Sequence, residues 1–525
     1  MSLKAFLHQL QFDPDKVKSK DWETDWEDAP LPYKLYRGLP SFPLCSEVPL
    51  TLVGDREMAK PKLRELGHFL WYTFGLTQLS QSVYGPDAGD DWGSSLQLCR
   101  RFVPSGGGLY PSELYLYLKL EELPYGVYHY DAAHHRLILL REGAFDDYLS
   151  KALGNRCDLS AAFGVAFVST MFWKNYFKYN HFCYRLQGLD AGLLMGQLLE
   201  TAKRFGFEAG VCFQFLDRAI NRLLGLSEHE ESAYAVIPLS NEPGMNWSSG
   251  EKKGDAVAAA DLCEELAVLQ HEHYMRSRRV LEFPMLLKLN EASMLDRSDS
   301  FHPIGIEKQD TDYSAAYKLP SVNRLSYDLA SVLQERYSPE NEFILLQVSQ
   351  SDLAALLNEA LLSFKYRNDL DGNQKGPSSR ITLYGSFYGV EGIANGAYRY
   401  DGSAHALQLL RAGDHRGWLQ YGMSLDNVNL HQVPLCFHIA GDLNYHHAQL
   451  GYRGYRIQQM EAGMLVHRLL LAATASRMGG RPLLGFDANV SDELYGMVSR
   501  GLTSLIQIPV GQCRSRSRLE GSLAH

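Results

Sequence analysis

The sequence predicts an α+β protein made of two tandem copies of one domain. The first observation is repetition: "GVYHYDAAHHRLILLREG" at Gly126 returns as "GAYRYDGSAHALQLLRAG" at Gly396, an offset of 270. "YRLQGLDAGLLMGQLLETAKRFGF" at Tyr184 returns as "YRIQQMEAGMLVHRLLLAATASRM" at Tyr455, an offset of 271. An offset that barely drifts marks a duplicated domain and not a short solenoid unit. The second is that each copy places alternating strand patterns before a long helical one. The third is length, since 525 residues exceed one ordinary core. The expected division is an N-terminal extension over residues 1–60, a first repeat over 61–245, a linker with a helix over 246–324, and a second repeat over 325–525.

The extension carries Trp22, Trp26, Tyr33 and Tyr36 outside the repeat. Packing on the repeats and recognition of a peptide both fit those aromatics. In repeat 1 the strands are YLYL, VYHYD and LILL, and a helix follows at Leu189–Phe205. Leu189, Leu193, Leu194, Leu198 and Phe205 share roughly one of its faces, and Met460, Met464, Leu465, Leu469 and Ala473 match them in repeat 2. Such a stripe is core, not a cofactor box. Between the repeats, "SNEPGMNWSSGEKKGDAVAAA" has linker composition, and "DLCEELAVLQHEHYMRSRRVLEF" is expected to be a charged helix. His271 and His273, two apart on that helix, would point away from each other, so no metal site is expected.

Composition excludes several classes. A net charge of −10 argues against nucleic acid as the partner. The eight cysteines are scattered with no CxxC pair, which fits a reducing compartment better than a disulfide framework. The N-terminus lacks a signal-peptide core and no apolar run is long enough to span a bilayer, so the expectation is a cytoplasmic protein that avoids membranes.

The stretch from Arg101 to Tyr115, "RFVPSGGGLYPSELY", sets three glycines directly before a strand. Glycines in a row cost backbone entropy, and they serve where the chain bulges or where something flat must approach the backbone. This stretch resembles the P-S-(small)-G-(small)-L-Y-P signature of the SagB-type dehydrogenases. These belong to the FMN-dependent nitroreductase superfamily and include azoline oxidases of peptide natural-product pathways. "GVYHYD" matches the family's G-x-Y-x-Y-D strand, and "KYNHFCYRLQGLDAG" at Lys178 matches its K-Y-(4)-Y-R-(4)-D-A-G run.

The resemblance implies two nitroreductase-like domains paired as an internal pseudo-dimer, with FMN at their interface. It implies a P-S loop from one side, here Arg101, Pro104, Ser105, Gly106 and Gly107. A flavin's carbonyl and ring-nitrogen acceptors would meet the loop's N–H groups, with Ser105 as a hydroxyl donor and Arg101 as a charge. The other side would supply an R-x-S, a P-x-x-G-F stretch and a late basic residue. Repeat 2 has these as Arg336 and Ser338 in "RYSPENEF", Pro482, Leu483, Gly485 and Phe486 in "RPLLGF", and Arg514 in "PVGQCR". Repeat 1 has "LPSFPLCSEVP" at the first place, without the arginine, and repeat 2 has only "GPSSRITLY" in place of the glycine loop. Each repeat keeps the half the other has lost, so one FMN site per chain is expected. Glu340 is a departure, standing where a basic residue is expected.

The family's catalytic pair maps onto Lys178 and Tyr179, whose aligned positions in repeat 2 are Gln449 and Leu450. A partly desolvated lysine has a lowered pKa and can act as a neutral base, and a tyrosine can relay a proton. The reading is an azoline dehydrogenase acting on a ribosomally made peptide, with oxygen as final acceptor and a cyclodehydratase complex as its setting. Two alternatives stand beside it. One is an FMN-dependent NAD(P)H reductase of a small-molecule ene, dehydroamino acid or nitro substrate; the other is a flavin-free scaffold of a peptide-modifying complex.

Overall fold

The computed structural model of the chain describes residues 1–17, 22–54, 59–83, 95–242, 255–304, 316–362, 366–371, 380–514 and 519–522. The fold is α+β, and each repeat sets a mainly antiparallel sheet against a long helix. Across the first sheet the strands run Ser41–Pro43, Arg136–Glu142, Gly126–Asp131, Ser112–Leu118, Ala162–Met171, Glu231–Ser240, Glu208–Val211 and Arg367–Asn368. Across the second they run Ala316–Lys318, Ala406–Ala412, Gly396–Asp401, Thr382–Phe387, Leu435–Asp442, Leu502–Gly511 and Gly479–Gly480. Seven strands correspond in the same order, six of them at the sequence offset.

Both faces of the first sheet are covered, which is why Ser112–Leu118 is buried throughout and carries no polar alternation. Tyr115 and Tyr117 face one apolar cluster, while Leu114, Leu116 and Leu118 face another. Two edge strands come from outside repeat 1. Ser41–Pro43 belongs to the N-terminal extension and pairs with Arg136–Glu142. Arg367–Asn368 belongs to repeat 2 and pairs in parallel with Glu208–Val211. A borrowed strand at each edge leaves fewer open backbone groups for mispairing.

The central helices span Cys183–Arg204 and Arg453–Ala475. The sequence pattern suggested one apolar face, but nearly every residue of both helices is buried. Sheet covers one side and the partner helix the other, so the polar residues along them are buried too. The helices cross at Gly192 and Gly463, which occupy equivalent positions in the two repeats. A Cβ on Gly192 would lie 2.0 Å from the Met460 carbonyl oxygen, and one on Gly463 would lie 2.2 Å from that of Leu189. Further along, His467 Nε2 meets Gln197 Oε1 at 2.7 Å, and Arg468 pairs with Glu200 at 2.6 Å and Glu359 at 2.9 Å.

The charged linker segment is not one helix. Only Ala259–Glu265 is helical, and the backbone turns extended at Leu266. From there the N-terminal extension offers main-chain partners that a solvated helix would forgo. Tyr274 N–H donates to Leu35 O at 2.8 Å, Arg37 N–H to Glu272 O at 3.1 Å, and His273 bridges to Tyr36. His271 lies against the Leu140 carbonyl at 2.9 Å. Among the described residues no three His, Cys, Asp or Glu side chains gather as a metal site, and no helix is long and apolar enough to cross a membrane. A second helix of the linker, Pro284–Ala292, and the N-terminal helix Leu3–Phe12 each pack beside a repeat.

The crossing gives a direct test. Gly192→Ala forces backbone against backbone and is expected to lower stability by about 1–3 kcal/mol or to prevent folding. Gly417→Ala lies in the helix Arg416–Tyr421 with its Cβ at an ordinary 3.7 Å contact, and should be neutral or stabilising by up to about 1 kcal/mol. Urea unfolding midpoints of the two variants measure the contrast.

Candidate active site

The glycine loop leaves the strand Ser95–Arg101 and enters Ser112–Leu118. Gly107 and Gly108 have φ of 66° and 69°, values that glycine adopts without strain. The central helix fixes the loop through Asp190, which accepts from Ser105 Oγ at 2.6 Å and from Gly106 N–H at 3.0 Å. Ser105 Oγ in turn accepts from Tyr110 N–H at 2.9 Å. Burial pushes the Asp190 carboxyl up to about 6, against these hydrogen bonds, which favour the charged form.

Lys178 and Tyr179 end a short helix, Trp173–Tyr179, and the chain then turns through Asn180 at φ 51°. That turn brings the pair over the loop. A Cβ on Gly107 would lie 2.5 Å from the Tyr179 hydroxyl and 3.1 Å from Lys178 Nζ. Trp26 of the N-terminal extension lies alongside, with Lys178 Nζ 5.1 Å from its ring centroid. Burial lowers the Lys178 pKa, and no carboxylate pairs with it among the described residues. Tyr179 is pushed up to about 12 by burial and by Asp190, with Arg481 opposing.

Repeat 2 supplies the facing wall. Arg336 is buried and its Nε donates to the Phe102 carbonyl at 3.2 Å, so it reaches repeat 1 just ahead of the P-S loop. Arg481 holds the R-x-S segment by donating to Ser338 O at 3.1 Å, and it pairs with Glu340 at 3.2 Å. The cation missing at position 340 therefore enters from Arg481. Arg514 is exposed, with its N–H on Glu342 O at 2.9 Å and its carbonyl accepting from Tyr337 at 3.4 Å. Leu483 is bonded in both directions to Gln507, at 2.8 and 3.1 Å, which carries the chain from Arg481 and half-buried Pro482 to exposed Gly485.

Three expected ligand donors are engaged inside the protein: Arg101, the Ser105 hydroxyl and the Gly106 N–H, the last two by Asp190. Arg101 is buried, and its terminal amino groups donate to the carbonyls of Phe74 and Pro32 while its guanidinium lies 3.8 Å from the Phe74 ring centroid. It anchors the loop's entry. The Ser105 hydroxyl is committed to Asp190. Conversely, Asp190 and Arg481 are not among the site residues expected from sequence, although Asp190 stands in the D-A-G run and Arg481 heads "RPLLGF". Trp26 is one of the extension's aromatics noted in the sequence, but nothing there tied it to Lys178.

The equivalent place in repeat 2 is closed by charge. Glu461, at the position of Asp190, is bound by Arg380, which also pairs with Asp371 at 2.6 Å. Tyr366 donates to the same carboxylate at 3.1 Å. Residues 376–379, the start of "GPSSRITLY", lie outside the described residues.

Residues 62–239 match the model of the Nitroreductase family. Along the whole chain the fold resembles a solved nitroreductase-like protein from Anabaena variabilis, at a TM-score of 0.72 and 22% identity over 98% of this chain and 99% of that one. Both repeats therefore have counterparts in one solved chain. The trifolitoxin-processing protein TfxB of Rhizobium leguminosarum bv. trifolii is 30% identical over 147 residues, or 26% of this chain and 39% of that protein's length. A part of the E. coli microcin synthetase McbBCD complex, solved with truncated pro-MccB17 bound, matches 36% of this chain and 67% of its own at a TM-score of 0.28 and 22% identity.

Asp190 gives a pH test. The folded chain holds this proton more tightly than the unfolded chain, whose carboxyl titrates near 3.8, so the contribution is present below about pH 4 and is lost as pH rises through about 6. Asp190→Asn stays neutral and should remove a fall in stability of about 2–3 kcal/mol across that window. Denaturant unfolding of both proteins from pH 4 to 7 reads the difference, and a difference independent of pH would refute the assignment.

Proposed function

We propose that the chain is an FMN-dependent oxidoreductase that converts azoline rings to azoles on a ribosomally made peptide, in the setting of a cyclodehydratase complex. The observation that carries the reading is the half-buried Lys178 amine and the Tyr179 hydroxyl lying over Gly107. The partial identity to a trifolitoxin-processing protein supports a peptide substrate.

The donor set suits FMN. Glycine at 107 lets Lys178 and Tyr179 close on the loop backbone, so a flat polar group beside Pro104, Gly106 and Gly107 would meet the amine and the hydroxyl directly. Arg336, Ser338, Pro482, Leu483 and Gly485 would flank it from repeat 2, with the guanidinium groups of Arg481 and Arg514 nearest in kind to a phosphate's needs. FMN, when bound, supplies a hydride acceptor, with dioxygen as the oxidant that resets it. The chain's residues handle the proton. Lys178, with its pKa lowered, presents a neutral amine that takes H⁺ from one azoline ring carbon while the adjacent carbon loses hydride. A C=C bond forms between the two carbons, and the substrate loses two electrons and two hydrogens in all. Tyr179 keeps its proton across the working pH range and can donate a hydrogen bond to the ring. Trp26 shields the amine from water on its outer side.

Two measurements test this reading. FMN released by denaturation should approach one per chain, because Arg380 occupies the second carboxylate; a value near two refutes the single site. Lys178→Ala should keep its FMN and lose about 10²–10⁴ in azoline turnover. Wild-type turnover by the alanine variant would remove Lys178 as base. Rapid NADH oxidation without peptide would favour a reductase.

A further inference from the structure

Repeat 1 holds a carboxylate from repeat 2 on two successive backbone N–H groups. Asp369 Oδ1 accepts from Phe213 N–H at 2.8 Å, and Oδ2 accepts from Gln214 N–H at 2.9 Å. Arg156 Nη2 donates to the same Oδ2 at 2.9 Å, and Arg156 and Asp369 are buried, at 7% and 3% exposure. Consecutive N–H groups aimed at one anion make a cradle whose dipoles suit a carboxylate, and the guanidinium supplies the opposite charge. Each part of the cradle is itself fixed. Arg156 also donates to the carbonyls of Gln214 and Leu153, at 3.1 and 3.3 Å, and lies 4.7 Å from the Phe301 ring centroid. The Gln214 side chain exchanges two hydrogen bonds with the His302 backbone, at 2.7 and 2.9 Å. Repeat 1 and the linker build the receptor, and repeat 2 brings the carboxylate.

The internal duplication shows which place this is. Cys212 bridges to Val236 as Leu483 bridges to Gln507. Leu216 N–H meets the Ala152 carbonyl at 2.9 Å, as Asp487 N–H meets that of Gly422 at 2.7 Å. Phe213 and Gln214 are therefore the counterparts of Leu484 and Gly485 in "RPLLGF", the segment of repeat 2 expected beside the cofactor. In repeat 2 neither N–H meets an acceptor among the described residues, and Gly485 is exposed. One pair of N–H groups is open, and its equivalent is filled from within the chain.

The filling segment is anchored on both sides of Asp369 by its backbone. Arg367–Asn368 pairs in parallel with Glu208–Val211, Asp369 N–H donates to the Val211 carbonyl at 3.2 Å, and the Leu370 carbonyl accepts from Ile304 N–H at 2.8 Å. None of these contacts uses the carboxylate, so the cradle's chemistry can be separated from the path of the chain. Every group it turns toward Asp369 is a donor: two N–H groups and a guanidinium. Such a set selects an occupant with two acceptor oxygens and a negative charge. A carboxamide of the same shape would turn an NH₂ against one of the donors.

We infer that Phe213, Gln214 and Arg156 form a carboxylate-binding site, which the chain fills with its own Asp369 and which takes a free small carboxylate once that side chain is removed. Filled, the site latches residues 366–371 of repeat 2 onto repeat 1, at the counterpart of the candidate active site. Formate is the probe, because it is a carboxylate with no side chain to fit. In the full chain, Asp369→Gly leaves Arg156 without its carboxylate and two N–H groups without acceptors, and should lower the melting temperature in sodium chloride by about 5 °C. Sodium formate at equal ionic strength should restore at least half of that loss in a saturable titration, and should shift the wild type no more than chloride does. Asp369→Asn fills the space with an NH₂ facing the donors, so it should melt low and gain nothing from formate. If the glycine variant does not fold in chloride, dilution from urea into formate should recover it, and failure to do so overturns the inference. A glycine variant that melts like wild type, or a formate effect equal in all three proteins, overturns it too. None of these readouts involves flavin or turnover, so they stand or fall apart from the proposed reaction.

Discussion

The contact between Gly192 and Gly463 sets how near the two repeats can come, and the rest of the molecule depends on that distance. With no Cβ on either glycine, the central helices meet backbone to backbone. Side chains on either side of the crossing then reach into the other repeat. Arg185 bonds the Leu505 carbonyl, Arg453 and Arg456 share Asp217 at 2.6 and 3.0 Å, and Arg468 pairs with Glu200. Buried ion pairs are weak sources of net stability, because desolvation offsets most of the attraction. Breaking one is costly all the same, since an unpaired charge stays behind. These pairs therefore act against any slip of one helix along the other.

Near the axis the repeats are alike, and away from it they diverge. The two acidic residues at equivalent positions, Asp190 and Glu461, stand in different surroundings. Asp190 has only neutral donors, the Ser105 hydroxyl and the Gly106 N–H, so its charge organises a loop without being cancelled. Glu461 is one methylene longer and meets Arg380 directly. That guanidinium is bound to two carboxylates and to Asn368, and Tyr366 donates to the Glu461 carboxylate beside it. The divergence is thus a matter of local charge and loop composition on a shared scaffold.

That division also explains what could be read in the sequence. Repetition at a constant offset exposed the duplicated α+β domain, because strands and helices preserve spacing even when residues change. The glycine triplet and the Lys178–Tyr179 pair were legible as motifs, and the fold brings them into contact. The one-sided helix stripe was misleading: period alone does not show that a second helix and a sheet cover the remaining faces. The extended path of residues 266–283 was hidden for a similar reason, since its backbone partners lie in the N-terminal extension. Arg101 and Ser105 carried the right chemistry for a ligand, but sequence does not reveal that Phe74, Pro32 and Asp190 engage it first.

The proposal of Lys178 as base is supported by a comparison within one helix. Lys174 and Lys178 are one turn apart, and both are withdrawn from water. Lys174 donates to Glu113 and to the Tyr110 carbonyl. Burial alone would raise the Glu113 pKa, yet Lys174 and His129 hold it well below the usual carboxylate range, so this is a charged pair. Burial lowers the Lys174 pKa as it does that of Lys178, but Glu113 opposes it, and an amine bonded to a carboxylate and to a carbonyl is not placed to take a proton from a substrate. Lys178 has the rings of Trp26 and Tyr179 for neighbours, each centroid 5.1 Å away. Aromatic faces favour the cation only modestly, while desolvation opposes it. Of these two amines, Lys174 is bonded to Glu113, whereas Lys178 has no carboxylate partner among the described residues and is the one lying over Gly107.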